Sequence, residues 1–365
     1  MKAVVIDTFN YYNIRTKYIY DVLSQSGFET IILSSNFNHM LKQKVCETRD
    51  NTVFIETKEY KKNLSVKRIV SHLDFSKKAY NVICKNKPDL IYCLVPLNSL
   101  VKKVAKYAKR NRCKVYFDVF DLWPESLPTN GLIKKLLFSW KNLRNKHIGC
   151  AEKVFLECDY YRQFLPQNDN YFTAYLSKPQ RKITYCQNNN TLDFVYLGSI
   201  NNIIDIDGII KFLCAINQKK KVKLHIIGKG EKIELLKESL GLANVDYEDY
   251  GAKYDEDQKD QIISKCHFGI NMYKEGLCIG LTMKSLDYFS RGLPIINANI
   301  YDTTKIIDEC NCGFNISNNL DDIVNTLSAI DDQQWQELSS NCINAYNNYF
   351  SIDKFCNIIG EALDL

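Results

Sequence analysis

Short apolar runs alternate along the chain with stretches whose apolar residues recur every three or four positions. Residues 2–6 (KAVVI) read as a buried strand, and the polar turn 8–13 leads into a helix carrying Ile14, Tyr18, Ile19, Val22 and Leu23 at helical spacing. Gly27 stops it, and 29–34 (ETIILS) gives a second strand. From 51 to 75 the pattern reads as irregular and basic, strand-like only over 52–57. Then 89–95 (DLIYCLV) is a central strand, 99–110 a helix with Leu100, Val101, Val104, Ala105 and Ala108 on one face, and 114–117 a strand. A basic amphipathic helix over 131–150 and a strand over 153–156 close the first series, and the Gln- and Asn-rich run 167–190 reads as a linker.

A second series opens with 193–196 (DFVY), running into Leu197-Gly198-Ser199. It continues with helix 208–216, strand 223–227 before Gly228-Lys229-Gly230, helix 231–240, and strand 245–250 before Gly251. Helix 258–266, strand 267–273 and the stretch 280–296 (GLTMKSLDYFSRGLPII) follow. In that last stretch Leu286, Tyr288 and Phe289 sit at helical spacing, and Gly292-Leu293-Pro294 hands over to a buried strand at Ile295-Ile296. Strand and helix alternating in this way demand parallel α/β sheets. The expected division is 1–172, 173–340 and a terminal helix within 341–365.

The 365 residues, 45% of them apolar, suffice for two domains of ordinary size. The first residues lack signal-peptide form, and no uncharged apolar segment is long enough to span a bilayer. The 14 cysteines are scattered singly, as small buried hydrophobes of a reducing compartment would be. A cytoplasmic protein is expected. Cys310-Asn311-Cys312 comes near metal-ligand spacing without a second pair or a His cluster, so no metal site is expected.

The net charge of +6 is unevenly spread. Up to Phe172, 29 Lys and Arg face 16 Asp and Glu, leaving +13; the remaining 19 against 26 leave −7. A basic first half suits a membrane surface or a lipid pyrophosphate, although solvated lysine-rich helix faces account for it equally. Lys58, Tyr60, Lys61, Lys62, Lys67 and Arg68 gather before His72 without any nucleic-acid module around them, so no nucleic-acid partner is expected.

Candidate chemistry collects at two places. The string Asp118-Val119-Phe120-Asp121-Leu122-Trp123-Pro124-Glu125-Ser126 follows a strand, where open α/β sheets bind ligands. Asp121 and Glu125 can position or deprotonate a hydroxyl, while Trp123 either stacks on a sugar or packs beneath the loop. In the second half, the front of the helix after Gly280 offers backbone N–H groups, with Lys284 beside them and Asp287 one turn on. The first turn of the chain has no Gly-x-Gly-x-x-Gly, so a dinucleotide there is not expected.

Asp121-Leu122-Trp123-Pro124-Glu125-Ser126 resembles a motif of bacterial family-four glycosyltransferases that build capsule, O-antigen or exopolysaccharide units. The spacing Lys284-x-x-Asp287-x-x-x-x-Gly292-Leu293-Pro294 is similar to that family's donor-site helix. The resemblance implies a GT-B fold, two Rossmann-like α/β domains with a cleft between them and the last helix crossing back onto the first. It implies a retaining, metal-independent transferase with no cofactor, taking a UDP- or GDP-linked nucleotide sugar as donor. In that account the leaving diphosphate itself takes the acceptor's proton. The acceptor would be a saccharide or a polyprenyl-pyrophosphate-linked glycan, met at the inner face of the membrane through peripheral contact by the basic N-terminal domain.

By position, Asp287 takes the ribose, and Leu281, Thr282, Met283 and Lys284 take the diphosphate. Gly198, Ser199, Gly228, Lys229 and Gly230 approach the donor, and Tyr250 and Gly251 stand where relatives hold the base. Asn13 and Arg15 fall in the loop that approaches acceptor and donor sugar, Trp123 joins them as an acceptor contact, and the segment before His72 reads as an acceptor-side lid. His72 is a catalytic candidate with Asp121 and Glu125, a lone helical His being more often structural. The chain departs from the pattern at Ile279, where the family's first Glu would fall, and at Asn201, Asn202, Asp205 and Asp207, which stand where an Arg and a Lys usually pair with the diphosphate. Those departures suit the alternative of a non-catalytic partner subunit; a nucleotide-sugar epimerase is a third reading.

Overall fold

The computed structural model describes residues 1–9, 13–39, 41–45, 48–63, 65–126, 132–188, 190–316 and 319–365, the side chains of 13 and 132–136 excepted. The chain divides into two compact units, 1–176 with 355–365, and 177–354.

In the first unit β1 (Lys2–Asp7), α1 (Asn13–Gln25), β2 (Glu29–Ser35), the short pair β3 (Phe37–Asn38) and β4 (Gln43–Lys44), and β5 (Thr52–Ile55) come in order. There follow α2 (Val66–Asn86), β6 (Leu90–Val95), α3 (Asn98–Asn111), β7 (Lys114–Val119), α4 (Leu132–Ile148), β8 (Lys153–Leu156) and β9 (Tyr171–Thr173). Seven strands form one sheet in the order β5-β2-β1-β6-β7-β8-β9, and its recorded pairings are parallel. The strand order reverses between β1 and β6. Two expectations are corrected here. Residues 66–75 are the front of the helix α2 and not an irregular loop, and β8 does not close the sheet, because Tyr171–Thr173 pairs beyond it.

In the second unit β10 (Leu192–Ser199), α5 (Ile206–Asn217), β11 (Val222–Lys229), α6 (Ile233–Leu242), β12 (Asp246–Asp249), α7 (Glu256–Ile263) and β13 (Phe268–Met272) come first. Then come α8 (Met283–Phe289), β14 (Ile295–Ala298), α9 (Tyr301–Cys310), β15 (Gly313–Asn315), α10 (Leu320–Ala329), α11 (Asp332–Ala345) and α12 (Ile352–Leu363), whose residues from Phe355 on belong to the first unit. The sheet order is β12-β11-β10-β13-β14-β15, again with parallel pairings, and it reverses between β10 and β13. Both sheets are thus of the Rossmann type.

Each unit has its own core. Ala3, Val5, Tyr92, Tyr116 and Phe155 pack in the first with Phe355, Ile359, Ala362 and Leu363, so the end of α12 is part of that core. Phe194, Tyr196, Phe212, Leu224, Phe268 and Ile296 lie in the second. The central strands β1, β6, β7, β10, β11, β13 and β14 are buried along nearly their whole length, which is why they read as continuous apolar runs rather than alternating ones, whereas the edge strand β12 is exposed throughout. Among the described residues no helix is long and apolar enough to cross a membrane.

Candidate functional site

The second unit has a cavity of about 310 Å³ where the strand order reverses, past the C-terminal ends of β10 and β13. Gly198 and Ser199 reach it from β10, Tyr273 from β13, and Thr282, Lys284 and Asp287 from α8 and its cap. Ligands of open α/β sheets bind at such reversals.

Local sequence builds the cavity floor. Gly198 adopts φ +117°, a conformation that side chains disfavour. Opposite it in register, Gly228 leaves room for the turn, since a Cβ there would stand 2.0 Å from the Gly198 carbonyl oxygen. The front of α8 is held from below. Thr282 Oγ1 accepts the Ser285 N–H at 3.1 Å and donates to Asn271 Oδ1 at 2.9 Å. Asn271 donates to Asn297 at 2.7 Å, and Asn297 to Asn315 at 2.9 Å. These three asparagines share one register level across β13, β14 and β15, forming a side-chain ladder under the helix cap. Further along, the Tyr288 hydroxyl accepts Leu197 N–H at 3.0 Å and donates to Val195 O at 3.1 Å, pinning α8 to the sheet.

Lys284 is the anomaly in this frame. It is 6% exposed, and its ammonium has no hydrogen-bond partner among the described residues. Nζ lies 3.8 Å from the Tyr196 ring centroid and 4.8 Å from that of Tyr273. Burial pushes its pKa down to about 7. Two ring faces compensate a desolvated cation only in part, so the arrangement is one that an incoming anion completes. Asp287, 8% exposed, is engaged through Oδ1 by Lys178 and by Arg291 Nη1 at 3.1 Å. Arg291 also reaches Asp260 at 2.8 Å and Glu256, and Arg181 grips Asp260 and Asp257. Burial opposes ionisation of Glu256, but Lys259 and Arg291 outweigh it and hold its pKa down to about 2. This charged lattice, which fixes the carboxylate of Asp287, was not expected from the sequence: its members are scattered from 178 to 291.

Of the expected donor contacts, the cavity brings together Gly198, Ser199, Leu281, Thr282, Met283, Lys284 and Asp287. Gly228 and Gly230 stand outside its lining, pressed against the backbones of Gly198 and Ile200. Lys229 extends toward the Tyr254 ring. Gly251 accepts the Gly228 N–H at 2.9 Å, and the Tyr250 hydroxyl meets His225 Nδ1 at 2.9 Å. Ile279, where the resemblance would put a Glu, lines the cavity as an apolar wall.

In the first unit the loop 120–126 follows β7. Arg144 anchors it, donating to Trp123 O at 2.8 Å and to Glu125 at 2.8 and 3.1 Å. Burial works against ionised Glu125, yet Arg144 and Lys141 hold its pKa below the ordinary value. Asp121 accepts from Ser126 Oγ at 2.6 Å, and burial pushes its pKa up. Trp123 is 8% exposed, with the Arg68 guanidinium 3.8 Å from its ring centroid and the His72 ring stacked at 5.6 Å. Its ring therefore packs beneath the loop. His72 is 4% exposed with Nε2 unpartnered among the described residues, and burial, then Arg68 and His39, push its pKa well below the ordinary value.

Two residues of this cluster were missed. His39 meets the Tyr60 hydroxyl at 2.5 Å, and Glu157, after β8, has its pKa pushed up to about 8 by burial. Arg15, expected at the acceptor, is instead 1% exposed, bidentate to Asp118 at 2.8 and 2.9 Å and donating to Ala174 O at 2.9 Å. A guanidinium this deep needs an anion, and Asp118 provides it. Asn13 begins α1, but its side chain, like residues 10–12 of the same loop, lies outside the described residues; so do Gly131 and the side chains of 132–136 in the basic helix.

No family model matches the chain, and no curated protein sequence matches it. Solved structures do. The lipopolysaccharide outer core galactosyltransferase WaaB in its apo form superposes with a TM-score of 0.69 at 12% identity, covering 100% of this chain and 99% of that one. Anabaena HepE in complex with UDP and glucose gives 0.65 at 13%, covering 100% and 99%. Sucrose-phosphate synthase from Thermosynechococcus elongatus gives 0.72 at 10%, covering 100% and 98%. The chain has the GT-B fold, two Rossmann-like units in one chain.

Proposed function

We propose that this chain is a glycosyltransferase that moves a sugar from a nucleotide-sugar donor to a hydroxyl of a saccharide or polyprenyl-pyrophosphate-linked acceptor, in the building of bacterial surface polysaccharide. One observation carries the reading: the ammonium of Lys284, buried and unpartnered beside the left-handed turn at Gly198, in a cavity at the sheet's reversal point. That is an anion hole within a cavity of about 310 Å³. The UDP bound to HepE and the likeness to the galactosyltransferase WaaB support the same ligand class for this chain.

In this reading Lys284 and the amides about Ser199 and Thr282 meet the diphosphate, and Asp287, held by Lys178 and Arg291, meets the ribose. The base lies toward Tyr250 and Gly251. The acceptor oxygen forms a bond to the anomeric carbon as the bond from that carbon to the phosphate oxygen breaks. The electron pair leaves on the diphosphate, which takes the acceptor's proton on the same face, retaining configuration. Charge developing on the leaving group is what Lys284 stabilises. Asp121 orients the incoming hydroxyl, Glu125 positions the loop through Arg144, and the neutral His72 lies beside them. UDP- and GDP-linked sugars are the donor candidates. The protein works at the cytoplasmic face of the membrane, with no cofactor or metal.

A second reading, a non-catalytic partner subunit that binds glycan or stabilises an active glycosyltransferase, is favoured by the apolar wall at Ile279. Incubation with a panel of nucleotide sugars and glycosyl acceptors separates the readings. Acceptor-dependent release of nucleoside diphosphate, lost in Lys284→Ala, is expected; saturable binding without release selects the partner reading, and turnover without acceptor selects an epimerase.

A further inference from the structure

The cavity at Lys284 is poor in groups that can hold the hydroxyls of a sugar. Among the described residues that line it, Leu197, Ile203, Ile279 and Leu281 are aliphatic, and Asp287 is the single carboxylate. Lys178 and Arg291 already grip that carboxylate, and the Thr282 hydroxyl is engaged between Asn271 and the Ser285 N–H. Polar residues nearby in sequence have partners of their own. Asn201 accepts the Ile203 N–H at 3.2 Å, Asn202 donates to Glu231, and Asp205 caps α5 through the Gly208 N–H at 3.0 Å. Glu275 is exposed and stands outside the lining. With Lys284 facing the diphosphate, the hydroxyls of Ser199 and Tyr273 are the side-chain groups left for a sugar.

The aliphatic wall is fixed in place. Ile203 and Ile279 are half-buried and pack on the core of the second unit. The Ile203 backbone is held on both sides, its N–H by Asn201 and its carbonyl by the Lys274 N–H at 3.0 Å, and the next residue bridges to Tyr273. Ile279 precedes Gly280, whose carbonyl accepts the Asp302 N–H at 2.9 Å and the Thr303 N–H at 3.3 Å at the front of α9. Both β-branched side chains therefore sit on held backbone with little χ1 freedom to move aside.

A sugar whose phosphate lies at Lys284 starts at the far side of one bridging oxygen, so it shares this cavity. A hydroxyl buried against such a wall loses its water and finds no acceptor, whereas a methyl there gains contact. An acetamido group also ends in a methyl, but its amide N–H and carbonyl need two further partners. The substituent that fits is the methyl on C5 of a 6-deoxyhexose.

We propose that the donor of this chain is a nucleoside diphosphate 6-deoxyhexose, whose methyl packs on Ile203, Ile279 and Leu281 where a hexose would place its hydroxymethyl group. The inference rests on the donor-site reading above and narrows it to one class of sugar. It also gives the apolar wall at Ile279 a use in an active transferase.

Calorimetric titration of the full chain with donors paired to differ only at C6 tests it. The pairs are UDP-glucose with UDP-6-deoxyglucose, UDP-galactose with UDP-6-deoxygalactose, and GDP-mannose with GDP-rhamnose; UDP-N-acetylglucosamine is the acetamido competitor, and UDP and GDP are the sugar-free references. Within a pair that binds, the 6-deoxy member is expected to bind about tenfold to a hundredfold tighter, the range set by one buried hydroxyl without a partner. I279Q should erase that preference, because its amide can pair with the hydroxyl. I203Q should do the same from the other segment and serves if I279Q does not fold. The ratio within a pair is unmoved by a general loss of affinity, so it reports the wall itself. Pairs bound alike, a hexose preferred to its 6-deoxy partner, the acetamido donor bound tightest, or a preference that survives both variants overturns the proposal while binding of UDP or GDP keeps the donor-site reading standing. A chain that binds neither the donors nor UDP and GDP defeats both.

Discussion

Lys284 shows how one residue can be costly to the fold and useful to the site. Its pKa falls from the ordinary 10.5 to about 7 on burial, so the unfolded chain binds more protons between those values. The handicap is therefore full below about pH 7 and shrinks as pH rises toward 10.5. Lys284→Met is expected to raise stability at pH 7 by about 2–4 kcal/mol in denaturant titration, the gain narrowing toward pH 9.5. A variant no more stable than the wild type at pH 7 would show that the ammonium already has a partner. Arg15 is the opposite case. Paired with Asp118, which also accepts from Tyr92 at 2.8 Å, it belongs to the core, and Asp118→Leu, leaving the guanidinium buried without its anion, should cost about 3–5 kcal/mol. A loss below about 1 kcal/mol, the size of a surface pair, would contradict that placement.

At the scale of elements, glycines set how closely strand ends approach. Gly228→Ala puts a methyl 2.0 Å from the Gly198 carbonyl oxygen, whereas at Gly149 a Cβ would meet nothing within 4 Å. Gly228→Ala is expected to weaken nucleotide binding and lower the melting temperature by several degrees, with Gly149→Ala as the silent control; equal behaviour of the two would sink the packing argument. Most elements were legible because their strands are continuous apolar runs between helices with an apolar face. The front of α2 was not, for a physical reason: its aliphatic residues point outward and its Arg68, Ser71 and His72 inward, inverting the pattern that periodicity relies on. β9 escaped notice because three paired residues sit inside a polar run. Around the site, Lys284 and Asp287 stood out through local spacing. The partners of Asp287 and Arg15 did not, since Lys178 lies 109 positions from Asp287 and Asp118 lies 103 from Arg15.

For the whole molecule, the two units share a sheet type and differ in charge, the first half basic and the acidic second half holding its cavity around one dry cation. The chain's last residues complete the first unit's core, where Phe355 covers the Arg15 guanidinium at 4.7 Å from ring centroid to Cζ. Ending the chain after Lys354 should therefore destabilise the first unit, seen as a lower-temperature transition in calorimetry; an unchanged melting profile would refute the role given to 355–365. The central claim is that a nucleoside diphosphate completes the site at Lys284, and calorimetric titration of the full chain with UDP and GDP at pH 6.5, 7.5 and 8.5 tests it most directly. Only the protonated amine attracts the diphosphate, so affinity should be level below about pH 7 and fall by up to about tenfold per unit above it, with proton uptake on binding. No saturable heat with either nucleotide, or an affinity indifferent to pH across that range, would contradict the account.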